Sequence, residues 1–296
     1  MDTTPAHDLD PLPALDSQVV GRRPAPALRD LVTGYQGYVE SVSSVLVRRT
    51  FPGPNVVLII GFGAPIRVAD PGRPGAPASD HISFVAGPHT QHGFYQFAGV
   101  SCGVQVDLTP IGAYLFFGVR MDGLTDRVLR LDDIVPGGAS GLSAWLQELP
   151  AWDARFDLLD AFFCERLARV RPAAHAVTWA WRAMIGSHGN VSIGALAAEV
   201  GWSRKHLAAR FHEQIGLSPK TAASLLRFNR ALDLLQRPTH PGGAQLALLC
   251  GYYDQTHLAR EFRRLSGLTI SEFLRAPAAL NNLPSEAPAP TIALSP

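Results

Sequence analysis

Two stretches in the last third of the chain repeat one another, and this limits the fold more than any other feature. Leu196-Ala197-Ala198-Glu199-Val200-Gly201-Trp202 recurs fifty residues later as Leu246-Ala247-Leu248-Leu249-Cys250-Gly251-Tyr252. After one extra residue in the second copy, Ser203-Arg204-Lys205-His206-Leu207-Ala208 matches Asp254-Gln255-Thr256-His257-Leu258-Ala259. Phe211, Gly216 and Leu217 then recur as Phe262, Gly267 and Leu268. In the first copy Ile193, Leu196, Ala197 and Val200 follow the i, i+3, i+4, i+7 spacing of one buried helical face. The glycine allows a tight turn. Ser203 and Asp254 are residues that cap a following helix by accepting from its orphan amides. Leu207, Phe211 and Ile215 bury that helix against the first. The unit is helix, short turn, helix, and it occurs twice.

Each second helix presents polar and basic residues outward. The first copy offers Arg204, Lys205 and Arg210; the second offers Gln255, Thr256, His257, Arg260, Arg263 and Arg264. Arg pairs bidentately with guanine and Gln with adenine when a helix lies in the major groove. A solvated helix face is the competing explanation for one copy. Two copies in register, each capped and basic, favour groove reading. Charge segregation agrees, since residues 175–276 hold 12 basic and 6 acidic side chains although the whole chain is near neutral at +1. A basic region on a neutral chain points to a polyanionic partner. Between the copies, Ser218-Pro219 reads as a cap and first-turn proline opening a helix to about Gln236. Such a helix spans roughly 27 Å, enough to hold two reading helices about one DNA turn, ~34 Å, apart.

The rest of the chain is of another kind. With 296 residues, 47% of them hydrophobic and 17% charged, there is material for about two domains with cores, which excludes a wholly disordered or coiled-coil protein. Val42–Thr50 and Asn55–Gly61 are rich in β-branched residues and are separated by Phe51-Pro-Gly-Pro. Val104, Val106 and Leu108 alternate with Gly103, Gln105 and Asp107, a period of two with one buried face. Asp70–Asp80 reads as loop. Short strands with Gly/Pro turns argue for a small β-barrel or a sandwich. From about Leu142 the pattern is helical, with Phe156, Leu159, Phe163 and Leu167 on one stripe that needs a partner surface, in this chain or a second one. Phe84, Phe94, Tyr95, Phe97, Tyr114, Phe116 and Phe117 are candidate aromatic walls for an apolar pocket. The longest apolar stretches are far too short to span a bilayer. The N-terminus lacks a basic-then-apolar signal pattern, and the three cysteines form no Cys-x-x-Cys. A cytoplasmic protein with no membrane partner is expected.

The segment His175–Leu274 resembles the DNA-binding domain of the AraC/XylS family of bacterial transcription regulators. The marks are Arg227-Phe228-Asn229-Arg230-Ala231-Leu232-x-Leu234-Leu235, then Gly251-Tyr-Tyr-Asp-Gln-Thr-His-Leu-x-Arg260-x-Phe262-Arg263, then Gly267-Leu-Thr-x-x-Glu-Phe273. The resemblance implies seven helices, two helix-turn-helix units and promoter binding, often as an activator, with RNA polymerase as a further partner. By position its base-reading slots fall on Arg204, Lys205, Ala208 and Ala209, and on Gln255, Thr256, His257 and Arg260. Ala208 and Ala209 cannot hydrogen-bond a base, so the first helix either reads fewer bases or uses thymine methyls. Ile270 and Phe273 replace the usual Pro and Tyr of the closing motif, and Gly243 stands where Ile193 stands in the first copy, which predicts a late start for that helix. In the N-terminal half, Gly87-Pro, the strand Gly99–Leu108, Thr109-Pro-Ile-Gly-Ala-Tyr-Leu-Phe-Phe-Gly118 and Leu131-Asp-Asp-Ile resemble the cupin-like sensor domain of many such regulators. That implies a ligand-binding β-barrel followed by helices that often dimerise.

The expected architecture is therefore α+β in two domains. A cupin-like β-barrel with trailing helices occupies 27–170, and an all-α double helix-turn-helix domain occupies 172–276. Residues 1–26 and 277–296 are expected to lack structure. The expected function is a DNA-binding transcription regulator, not an enzyme, with promoter DNA, a small-molecule effector and a second copy as partners and no cofactor. One alternative is a cupin-type metalloenzyme fused to a DNA-binding domain, since His81, His89 and His92 lie close in sequence. Their spacings of 8 and 3 do not match the cupin metal motif, and no Glu occurs from Ser41 through Gln147. A ligand-independent DNA binder is the other alternative. Ser101, Cys102 and Cys164 lack a nucleophile's context, and Cys250, in the place of Val200, reads as a buried core thiol.

Overall fold

The computed structural model describes residues 15–71, 77–135, 139–170, 173–277 and 281–282. The N-terminal half is built on one curved sheet. In chain order its strands are β1 (Leu15–Arg22), β2 (Val32–Thr50), β3 (Val56–Gly61), β4 (Ile66–Val68), β5 (Ser79–His81), β6 (Phe84–Ala86), β7 (Gly93–Leu108) and β8 (Val128–Arg130). Helix α1 (Pro110–Phe117) follows β7, and α2 (Leu131–Ile134), α3 (Ala139–Glu148) and α4 (Trp152–Leu167) follow β8. The sheet runs β1-β2-β7-β3-β6-β8, with β4 on β7, β5 on β4, and the two-residue β9 (Asn281–Asn282) parallel to β2.

This corrects the expected cupin-like β-barrel. Among the described residues β1 pairs only with β2, β8 only with β6 and β5 only with β4, so the sheet keeps free edges and does not close. The two longest strands do curl. β2 slips register against β7 between Val42 and Leu46, opposite Gly99, whose φ of +76° lies in the left-handed region that glycine reaches without cost. Beyond that bend the early part of β7 pairs with β4, whereas its later part pairs with β3. Helices α1 and α4 cover one face of the sheet instead of further strands. Residues 15–22, expected to lack structure, form β1, held antiparallel along β2 from Leu15↔Val42 to Arg22↔Tyr35. Asn281 and Asn282, also expected to lack structure, form β9, and the expectations for 1–14, 278–280 and 283–296 fall outside the described residues.

Alternation along the strands gives the sheet two different faces. Tyr35, Val56, Leu58, Ile60, Val104, Val106 and Leu108 pack with Ala113, Phe116 and Phe117 of α1 and with Phe156, Leu159 and Phe163 of α4. Tyr35 stacks on Phe156 at 5.8 Å, and its hydroxyl donates to Asp160 at 2.9 Å. The stripe on α4 thus finds its partner in its own chain. The other face carries Gln36, Tyr38, Glu40, Gln105 and Asp107. It lines a partly open cavity.

The C-terminal half is helical: α5 (His175–Gly186), α6 (Ile193–Glu199), α7 (Arg204–Ile215), α8 (Pro219–Leu235), α9 (Gly243–Leu249), α10 (Gln255–Ser266) and α11 (Ile270–Arg275). One core joins them, centred on Trp181, Phe211, Phe228, Phe262 and the leucines of α8, with Cys250 buried among them. Phe51 and Ile111 from the sheet half belong to the same cluster, and Phe51 meets Phe273 edge-on at 5.7 Å.

Candidate nucleic-acid interface

Both repeats fold as helix, turn, helix. Gly201 (φ +67°) and Gly251 (φ +70°) end the first helix of each pair in the left-handed conformation. Ser203 accepts from the amide of His206 at 3.1 Å, and Asp254 from that of His257 at 2.7 Å, so both expected caps form. Ser218 caps α8 in the same way, with Pro219 in its first turn. The late start expected for α9 does not occur. α6 and α9 are each seven residues long, and Gly242 serves as cap without a side-chain bond where Ser192 supplies one. A backbone at position 242 already in the extended conformation opens the helix, so the missing apolar residue costs contact area and not length.

The outward faces of α7 and α10 differ. On α7, Arg204, Lys205 and Ala209 are exposed, whereas Ala208 and Arg210 are partly covered. Arg204 lies across Gly194 of α6, and Arg210 is engaged by Glu213 at 2.8 Å. On α10, Gln255, Thr256, His257, Arg260, Arg263 and Arg264 are all exposed. Glu261 organises one flank of this helix. It accepts from Ser224 of α8 at 2.6 Å and from Arg264 at 3.1 Å, and His257 lies 3.9 Å away. Arg260 has no carboxylate within ion-pair distance among the described residues. The structure thus brings the expected residues onto two capped helices of one domain, with α10 the more open and more basic.

Some residues escaped sequence reasoning. Tyr253 is the extra residue of the second turn and is 93% exposed beside the cap of α10. Its position as an insertion in the repeat was the signal. Arg227, part of the linker signature, donates to the carbonyl of Gly189 at 3.3 Å and lies over the Tyr252 ring at 5.7 Å, tying α8 to both units.

The sheet half holds the C-terminal ends of α7 and α10. Thr125 donates to the carbonyl of Gly216, the C-cap of α7, at 2.7 Å, and His212 sits 3.5 Å from Asp122. At α10, Arg49 donates to the Ser266 carbonyl at 2.9 Å, and the His92 amide to the Leu265 carbonyl at 3.2 Å. A cation at a helix C-terminus meets the negative end of the backbone dipoles. Arg49 lies 4.6 Å above the Phe94 ring, and Phe94 lines the cavity.

That cavity is ≈ 260 Å³ and sits between the inner sheet face and α8. Val57, Ile59, Phe84 and Phe97 give it apolar walls; Glu40, Arg48, Gln105, Asp107, His89 and Asn229 give it polar ones. Of the aromatic residues expected there, Phe84, Phe94, Tyr95 and Phe97 line it. Phe116 and Phe117 belong to the core behind the sheet, and Tyr114 packs against that core. Burial pushes the Asp107 carboxyl up to about 6 and holds the His89 imidazole down to about 4. Among the described residues no group of three or more His, Cys, Asp or Glu could hold a metal ion, so His81, His89 and His92 do not converge. No helix of the described chain is long and apolar enough to cross a membrane.

Comparisons with known proteins divide the chain similarly. Residues 196–276 match the family described as "Helix-turn-helix domain", and residues 22–130 match "Domain of unknown function (DUF6597)". The uncharacterized HTH-type transcriptional regulator YbfI of Bacillus subtilis (strain 168) is 35% identical over 69 residues. That stretch is 23% of this chain and only 24% of the relative. A transcriptional regulator from Chromobacterium violaceum, described as containing an AraC-type DNA-binding domain, has 31% identity over 33% of this chain and 87% of its own, with a TM-score of 0.31. ToxT from Vibrio cholerae has 10% identity over 88% of this chain and 97% of its own, with a TM-score of 0.46.

Proposed function

We infer that this chain is a sequence-specific DNA-binding transcription regulator of the AraC/XylS type, with an accessory sheet domain ahead of a double helix-turn-helix reader. The observation that carries the reading is the pairing of two capped helices, α7 and α10, with exposed polar and basic faces in one domain. The reader comprises residues 172–276 and the accessory domain 27–170. Bases are read from Arg204, Lys205, Ala208 and Ala209 on α7 and from Gln255, Thr256, His257 and Arg260 on α10. Arg210, Arg263 and Arg264 serve the phosphates, which position the protein without specifying sequence. The partners are promoter DNA and RNA polymerase, and the compartment is the cytoplasm.

The accessory domain takes a small-molecule effector in its cavity and supports a homodimer on repeated half-sites. The α4 stripe no longer argues for the dimer, because its own sheet covers it. A ligand changes DNA occupancy only by binding one arrangement of the reader better than another. The contact at the end of α10 offers a route, since Arg49 reaches the Ser266 carbonyl and lies over Phe94, which lines the cavity.

Selection of random duplexes by the full-length protein tests the reading. A defined site should emerge, and log affinity should fall linearly with log salt as counterions are released. Recovery of no preferred sequence, or affinity insensitive to salt, removes it. Sedimentation mass of the chain, alone and on the selected site, tests the dimer.

A further inference from the structure

The wall of the accessory-domain cavity contains charges of two kinds. Glu40 is balanced: Arg48 donates to its two carboxylate oxygens, each at 2.8 Å, and Ser17 donates to it at 3.2 Å. Asp107 is not. It is 6% exposed, and its Oδ1 accepts from Gln105 at 2.8 Å, but its Oδ2 has no hydrogen-bond partner. No basic side chain pairs with it among the described residues. Two more atoms of this wall are buried without partners, Nδ1 of His89 and Oδ1 of Asn229.

A buried carboxylate left without a counter-charge is costly, and so is each unmet acceptor. A ligand that brings a donor and a positive charge relieves both. An anion meets the opposite situation, because Arg48 is already engaged by Glu40 and Asp107 repels it. The apolar remainder, Val57, Ile59, Phe84 and Phe97, suits a hydrocarbon or aromatic body.

Resting on the reading of this cavity as the effector site, we propose that its ligand is a monocationic amine with an apolar body. The ammonium pairs with Oδ2 of Asp107, and the body lies against Phe84, Phe97 and Ile59. Asn229 belongs to α8, the helix that joins the two reading units. A donor group reaching Asn229 therefore touches the reader directly.

Three matched compounds test this on the full-length protein by calorimetry: phenylpropylamine, phenylpropanol and phenylpropanoate. The amine should bind about tenfold or more tighter than the alcohol, with the carboxylate weakest, as expected for a desolvated charge pair. Asp107→Asn should abolish the preference for the amine over the alcohol. Asparagine keeps the size of the side chain and removes an unpaired buried charge, so the unliganded variant should melt no lower than the parent. Should it fail to fold, the ranking on the parent protein decides alone. Binding of the carboxylate or alcohol in preference to the amine overturns the proposal and leaves the effector reading standing. An unchanged amine preference in Asp107→Asn does the same. If no one- or two-ring amine, alcohol or acid binds, both readings fall.

Discussion

Arg260 and His89 are the two side chains whose surroundings most sharply limit their roles. Arg260 projects from the open face of α10 with no carboxylate at ion-pair distance among the described residues, whereas Arg210 on α7 is held by Glu213. A guanidinium uncommitted within the protein is available to pair bidentately with a guanine. Arg260→Ala should cost about 1–3 kcal/mol in DNA affinity and relax preference at one or two base pairs. Gel-shift titration on the selected site and its single-base variants checks this. A loss equal on every sequence would make Arg260 a phosphate contact.

His89 sits at the cavity wall with its imidazole held down to about 4 by burial. The unfolded chain, with an ordinary histidine near 6.5, takes up its proton first as pH falls. The stability this residue contributes is therefore present above about 6.5 and is lost as pH falls through 4, amounting to about 3 kcal/mol. Asp107 acts in the opposite sense. Its carboxyl is raised to about 6, so its contribution is fullest below its unfolded value and disappears as pH rises through 6. Urea denaturation between pH 7 and 4.5 should show a flatter acid loss for His89→Gln and a steeper one for Asp107→Asn. Equal slopes in all three proteins would contradict these environments.

At the scale of elements, the two helix-turn-helix units are alike in geometry and unlike in what surrounds their turns. Gly201 and Gly251 share a left-handed backbone. A side chain at 201 meets nothing within 4 Å, but one at 251 runs into the side chain of Asn190. Gly201→Ala should cost about 1 kcal/mol, the penalty for a side chain in this conformation. Gly251→Ala should cost more, since Asn190 must also move. Thermal melts of the two variants give the comparison, and equal losses would show that Asn190 yields freely. The repeat made the turns legible, because a recurring Gly followed by Ser or Asp carries its own mechanism. The length of α9 was misjudged for a related reason: Gly243 lacks the apolar side chain of Ile193, but the backbone around Gly242 begins the helix without it.

Across the whole molecule, the sheet half grips the ends of α7 and α10. Arg49→Ala removes a charged hydrogen bond to the Ser266 carbonyl, and this should lower stability by about 1–3 kcal/mol. It should also weaken any effect of a cavity ligand on DNA affinity while leaving affinity without ligand within a few-fold. DNA titrations with and without an amine that binds measure this. An undiminished ligand effect would place the coupling elsewhere, with Asn229 the next residue to test.

The sequence by itself determined most of the helical half. The two helix-turn-helix units, with their glycine turns and the Ser203 and Asp254 caps, follow from local spacing, and the repeat states them twice. The end of β2, β3, the later part of β7 and the α4 stripe were also legible, since β-branched runs and a period of two or 3.6 mark buried elements, whereas β1 was not. Tertiary structure alone decided how those faces are used. Alternation of Val104, Val106 and Leu108 with Gln105 and Asp107 shows that one side is buried but not that the other lines a cavity. The barrel failed for the same reason, because closure depends on whether β1 and β8 meet, and pairing at a sheet edge is set by curvature accumulated over the whole sheet. Arg49 and Ser266 lie more than two hundred residues apart. No local pattern records that they meet, because their approach is fixed by the packing of Phe51 and Ile111 into the core of the other half.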